Sequence, residues 1–305
     1  MSYHVRYLDG RLQVWWIADD EAYRVGVGDP KQGFGTYFRA EPGENIKDAI
    51  YRQASGFFGP NREWLFHPIK RALGEFYPRM VRPLDHDPTY GIGWSRSAEL
   101  EPDVVATARG QLSALTRQLG RICQTAHPQG GGLETFGHDI RNLLILACTE
   151  VETHWRGVLV ANGASRAGDR TTTSQYVKLN DAMKLDRFTV QFPSYPWLDA
   201  FRPFGGWGST NKPSQELVWY DAYNAVKHDR EAAFGRATLR RAFEAISACV
   251  VMIVAQFGLE AGLGVRSELS AYFHLAEVPN WPVAEIYLYP YGSDPPAWKP
   301  VNFDF

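Results

Sequence analysis

Between Val105 and Ile122, the apolar residues Val105, Ala108, Leu112, Leu115, Leu119 and Ile122 recur at alternating spacings of three and four. That period places all six on one face of a long helix beginning near Pro102. A second run, Ile140, Leu143, Leu144, Ala147, Val151, Trp155 and Val158, repeats the pattern along a helix expected over Glu134 to Val160. Two such seams left open would expose large apolar area, so they must bury against each other or against further helices. A helix from about Ala232 to Phe257 is amphipathic at its start and almost wholly apolar later, which suits the centre of a bundle. The expected fold class is therefore mainly α, with an antiparallel helical bundle over residues 100–260.

The flanks read differently. Residues 1–95 are expected to form a small α+β segment. His4–Leu8 and Arg11–Trp16 alternate around Asp9-Gly10, a strong hairpin signal, and Tyr23–Val27 offers a third strand. Glu44–Phe58 and Asn61–Phe76 suggest two short amphipathic helices separated by Gly59-Pro60, before an irregular loop over Pro78–Trp94. Within the body, Ser174–Leu185 reads as a shorter helix, Phe188–Phe192 as a brief strand, Pro193–Lys212 as a long ordered loop and Ser214–His228 as a helix. Residues 265–305 form a C-terminal extension expected to pack back. It offers one strand at Glu285–Tyr289, a candidate partner for the hairpin, and anchors at Trp298, Phe303 and Phe305.

Composition narrows the chemistry. A net charge of −2 over 305 residues gives no bulk attraction to nucleic acid, so any such binding needs a local patch. Cys123, Cys148 and Cys249 lack metal-ligand spacing and read as buried thiols of a reducing compartment. The longest apolar stretch, Ala245–Phe257, is shorter than the ~20 residues a span requires, and the N-terminus lacks the apolar run of a signal peptide. A cytoplasmic protein with no membrane partner is expected. Gly205–Lys212 is glycine-rich without P-loop spacing, and neither an HExxH pair nor a nucleophile elbow occurs. Neither metal nor cofactor is expected.

Glu216, Tyr220, Asn224 and His228 fall four apart, which on one helix makes a polar stripe opposite Trp219, Ala222 and Val226. His228 carries the side chain best suited to proton exchange near neutrality. Lys227, Arg230, Arg236, Arg240 and Arg241 surround it in sequence, a combination that suits phosphodiester chemistry: cations bind phosphate while an imidazole moves protons. The competing interpretation is ordinary charge around a helix turn with a solvated His cap. Glu150 and His154 project onto the flank of the second seam, where partial desolvation marks either a functional pair or a helix-stabilising one. Arg141 and Glu152, on the opposite flank, suggest a solvated ion pair.

The segment Tyr223-Asn224-Ala225-Val226-Lys227-His228, on a late helix of a helical body, resembles the HEPN superfamily. The resemblance covers roughly residues 100–260. Those four- to five-helix domains carry an Arg, usually a polar residue after it, and a His four to six residues on; here Tyr223 stands in the Arg position. Many members are metal-independent ribonucleases of toxin–antitoxin, abortive-infection and phage-defence systems, often acting as dimers. The resemblance implies an RNA-directed protein, acting as a ribonuclease or binding a nucleotide. It further implies a homodimer and an antitoxin or defence component as partner. On that basis His228 is the general acid or base, Asn224 orients it, and Glu150 holds a cation or the imidazole. Lys227 and Arg230, with Arg236 and Arg240 nearby, bind phosphate, while Tyr220, Tyr223 and His154 flank the site. The alternative is a non-catalytic helical module that binds a ligand or a partner protein, with the stripe as a structural hydrogen-bond network. A bundle enzyme acting on a small phosphorylated ligand is the third reading.

Overall fold

The computed structural model describes residues 1–8, 11–85, 93–293 and 295–305. The protein is mainly helical with small sheets. Its contacts divide it into two units: Met1–Phe76 with Arg82–Gly91 and Trp281–Pro300, and Tyr77–Val81 with Ile92–Asn280 and Val301–Phe305.

In the first unit, β1 (Ser2–Leu8) and β2 (Arg11–Ile17) pair antiparallel from Ser2 opposite Ile17 to Leu8 opposite Arg11. The hairpin expected there forms, while its Asp9-Gly10 turn lies outside the described residues. Strands β3 (Glu21–Arg24), β4 (Tyr37–Arg39) and β5 (His67–Pro68) complete a sheet ordered β4-β3-β2-β1-β5. Period-two alternation splits its side chains between two apolar clusters. Trp15, Ile17, Ala22 and Phe38 pack with Ile46, Ala49 and Ile50 of α1 (Ile46–Gln53), whereas Val5 and Val14 pack with Ile69, Ile286 and Leu288.

Two expectations for this unit fail for identifiable reasons. No helix spans Asn61–Phe76: a short turn at Pro60–Arg62 leads into β5 and then β6 (Glu75–Phe76). Pro68 cannot donate a backbone hydrogen bond, so it interrupts a helix but is tolerated on an edge strand, which is where β5 lies. Nor does Glu285–Tyr289 add a strand to the hairpin. Val283–Glu285 is a 3-10 turn, the Glu285 carboxylate is held by Lys70 and Arg71, and Tyr287 bridges Leu84. Lys299–Pro300 instead pairs in parallel with β6.

The second unit carries the helices α2 (Ser97–Leu100), α3 (Pro102–Thr125), α4 (His138–Ala161), α5 (Thr173–Tyr176), α6 (Lys178–Met183), α7 (Pro213–Glu216), α8 (Val218–His228), α9 (Arg230–Ala233), α10 (Leu239–Phe257), α11 (Leu259–Leu263) and α12 (Glu268–Tyr272). Both sequence seams are buried in full on α3 and α4. α10 packs against α3, α4 and α8 with sixteen of its nineteen residues buried, the central role its apolar run required. α4 starts at His138 and not at Glu134, since a 3-10 turn over Gly130–Glu134 and then Gly137 precede it. The helix expected over Ser174–Leu185 divides into α5 and α6. β7 (Thr189–Gln191), expected, pairs with β8 (His274–Glu277), which was not. Among the described residues no helix is long and apolar enough to cross a membrane.

The helix expected over Ser214–His228 breaks at Leu217, whose φ of −86° and ψ of 97° are extended. Glu216 therefore leaves the polar stripe. Its carboxylate accepts the amides of Gly208 and Thr210 and pins the glycine-rich loop.

Candidate functional site

α8 owes its placement to one apolar face. Trp219, Tyr220, Ala222, Tyr223 and Val226 are buried, and the Trp219 indole donates to the Pro203 carbonyl at 2.8 Å. The remainder of the stripe therefore climbs from core to solvent. Tyr220 is buried, Asn224 is half-buried, and His228, the last helical residue, is exposed. The Tyr220 hydroxyl donates to Glu152 Oε1 at 2.7 Å. Burial, reinforced by that carboxylate, raises the phenol above its ordinary pKa. One turn on, Lys227 Nζ donates to the Tyr223 hydroxyl at 2.9 Å and lies 5.0 Å from the ring centroid. The hydrogen bond to Tyr223 holds the ammonium above its ordinary pKa.

His228 opens onto a cleft of ~730 Å³ shared with His138, Asp229, Glu231 and Phe234. His138 is the first residue of α4, and its ring lies 5.0 Å from that of Phe234. Two imidazoles thus line one solvent-open cleft. Chemically, such a pair can take a proton from one atom and return one to another.

The basic residues expected around His228 are mostly engaged. Arg236 pairs with Asp221, Arg240 Nε with Glu134 at 3.0 Å, and Arg241 with Glu244 at 2.7 Å. Arg230 opens α9, but its side chain lies outside the described residues. The solvated Arg141–Glu152 pair does not form: Glu152 accepts from Tyr220, and Arg141 Nη2 reaches the Val226 carbonyl at 3.4 Å.

Glu150 and His154 come together elsewhere, against α10. His154 is buried, with Nε2 3.3 Å from Glu150 Oε1, near enough for an ion pair but not aligned as a hydrogen bond. Its Nδ1 lies 2.9 Å from Gln256 Nε2, which also donates to the Met252 carbonyl at 2.9 Å. The Met252 carbonyl fixes the amide's orientation, because a flipped amide would set two oxygens against each other. Nδ1 therefore accepts, and the proton of a neutral ring sits on Nε2, facing Glu150. Glu150 is not among the residues lining the His228 cleft. Among the described residues no group of three or more His, Cys, Asp or Glu side chains is placed to hold a metal.

Sequence reasoning missed His138 and Gln256 and gave Glu152 the wrong partner. Gln256 had a signal, a lone amide in an apolar run. His138 had only its position after Gly137, and Glu152 had none that pointed to Tyr220.

No family model matches the chain, and no curated protein or solved structure matches it either.

Proposed function

We propose that the helical unit is an HEPN-like, RNA-directed module whose working site is the cleft at the end of α8, where it cleaves the phosphodiester backbone. The observation that carries this reading is the exposure of His228 in an open cleft beside a second imidazole, His138. In the reaction one imidazole takes the proton of a ribose 2′-OH as that oxygen bonds to the adjacent phosphorus. The P–O5′ bond breaks, and the other imidazole delivers a proton to the departing 5′ oxygen. The products are a 2′,3′-cyclic phosphate and a 5′-hydroxyl end. With Tyr223 where the family has Arg, the cation nearest in sequence to His228 is Lys227, tethered to the Tyr223 hydroxyl. In this reading Asn224, one turn before His228 on the same helix, orients a ring or a ligand oxygen.

A second reading, a non-catalytic ligand- or partner-binding module, is favoured by a different observation. Arg236 and Arg240 are engaged by carboxylates, and Asp229 and Glu231 line the cleft with the histidines. Incubating the purified protein with total RNA separates the two. The first reading expects fragments ending in cyclic phosphate that disappear with His228→Ala and with His138→Ala. Intact RNA with the wild-type protein leaves the second.

A further inference from the structure

His138 lines a second opening as well. A groove of ~680 Å³ runs between the C-terminal half of α3 and the first turn of α4, walled by Arg117, Arg121, Ala126, His138 and Asp139 among others. Arg117 and Arg121 lie one helical turn apart on α3, and both are exposed. Arg117 is loosely held: it donates to Ser113 Oγ at 2.6 Å and stays 3.9 Å from Glu268 across an exposed pair. Arg121 is exposed and in no ion pair with a described residue, unlike Arg236 and Arg240. Among the described residues lining the groove, Asp139 is the one carboxylate, against two guanidinium groups.

The chain that leaves the groove wall adds an independent feature. Next after Ala126 comes His127, whose ring lies 5.1 Å from that of Trp197. The Trp197 indole donates to the Pro128 carbonyl at 3.0 Å, which fixes it in place, yet the residue stays 44% exposed. A fixed, exposed indole beside a cationic groove is the pairing that binds single strands, with cations on the backbone and an aromatic face under a base. Duplex RNA is read by shape and backbone and offers no free base face to stack.

We propose that this groove holds the backbone of a single-stranded RNA. Arg117 and Arg121 contact phosphates, a base stacks on Trp197, and the strand passes His138 into the His228 cleft. The proposal rests on the RNA-directed reading of that cleft and names its substrate class and entry path.

The test uses fluorescence anisotropy with a labelled oligouridylate of about 12 nucleotides, within the ~4–16 that such sites cover. The full chain carries His228→Ala so that the probe survives. Adding Arg117→Glu and Arg121→Glu should weaken binding tenfold or more. It should also flatten the dependence of log affinity on log salt by about 1.4, two phosphate contacts at ~0.7 each for single strands. Trp197→Ala should weaken binding about fivefold or more and leave the salt slope unchanged. All three residues are exposed, and thermal melting of each variant, with Arg121→Glu alone as the milder change, confirms the fold. Three outcomes overturn the groove: affinity within twofold after charge reversal, a duplex of equal length competing as well as the single strand, or no binding at all. Cleavage by the protein with His228 intact separates this from the parent reading. Arginine-dependent binding without cleavage removes the catalysis and keeps the groove. Cleavage and binding indifferent to the arginines remove the groove alone.

Discussion

His154 and His228 belong to the same helical unit and meet opposite surroundings. His154 is buried between Glu150 and Gln256, each ring nitrogen facing a group on α4 or α10. His228 ends α8 in solvent, beside a cleft. Both read as site candidates in the sequence, His154 as an ionisable residue on the flank of an apolar seam and His228 as the end of a polar stripe beside basic residues. Their environments divide the roles. A buried imidazole with fixed neighbours orders the core, whereas an exposed one costs the fold little and, on the proposed reading, is the one that meets a substrate.

The sharpest way to break this comparison is His228→Ala. On the proposed ribonuclease reading, cleavage should fall by ~10²–10⁴-fold, the usual effect of removing a proton-transfer group, while the exposed site changes stability by less than ~0.5 kcal/mol. A large drop in melting temperature with cleavage intact would reverse the assignment. His154→Ala should behave in the opposite way. Removing the ring leaves the buried Gln256 amide and the Glu150 carboxylate without their neighbour, which typically costs ~1–3 kcal/mol in urea unfolding, with cleavage per folded molecule unchanged.

Tyr220→Phe probes the buried half of the stripe. It removes the hydroxyl donated to Glu152, and a loss of about 1–2 kcal/mol is expected because the acceptor is charged but half-exposed. Stability equal to wild type would mean that water replaces the phenol there. Glu216→Gln gives the smallest effect and carries a pH signature. Burial alone would raise the Glu216 carboxyl, but its bonds to Thr210 and Gly208 outweigh that and hold it below the ordinary 4.5. A depressed carboxylate contributes stability above its unfolded value and loses it as pH falls through the folded one. The melting-temperature gap between wild type and Glu216→Gln should therefore be widest at neutral pH and close in acid below about 4.5.

Much of the fold was legible because helical burial leaves a local signature. The spacings along Val105–Ile122 and Ile140–Val158 are properties of each segment alone, and both seams are buried as expected. The β1–β2 hairpin was legible for the same reason, its alternation and two-residue gap being local. Errors came where one residue overruled a pattern. Pro68 turned an expected helix into an edge strand, and extended Leu217 cut Glu216 from the stripe. At the candidate site, the order Tyr220, Asn224, His228 was readable, and the gradient from core to solvent along it was not.

The sequence by itself determined the two long helices α3 and α4 and which face of each is apolar, because 3.6-residue periodicity acts within a few residues of chain. Only the tertiary structure decided what each polar side chain meets. Glu152 faces Tyr220 across 68 positions, Gln256 faces His154 across 102, and His138 comes to share a cleft with His228. Those meetings follow from how helices pack, and packing is settled by the fit of whole apolar faces, a property that no short window of residues contains.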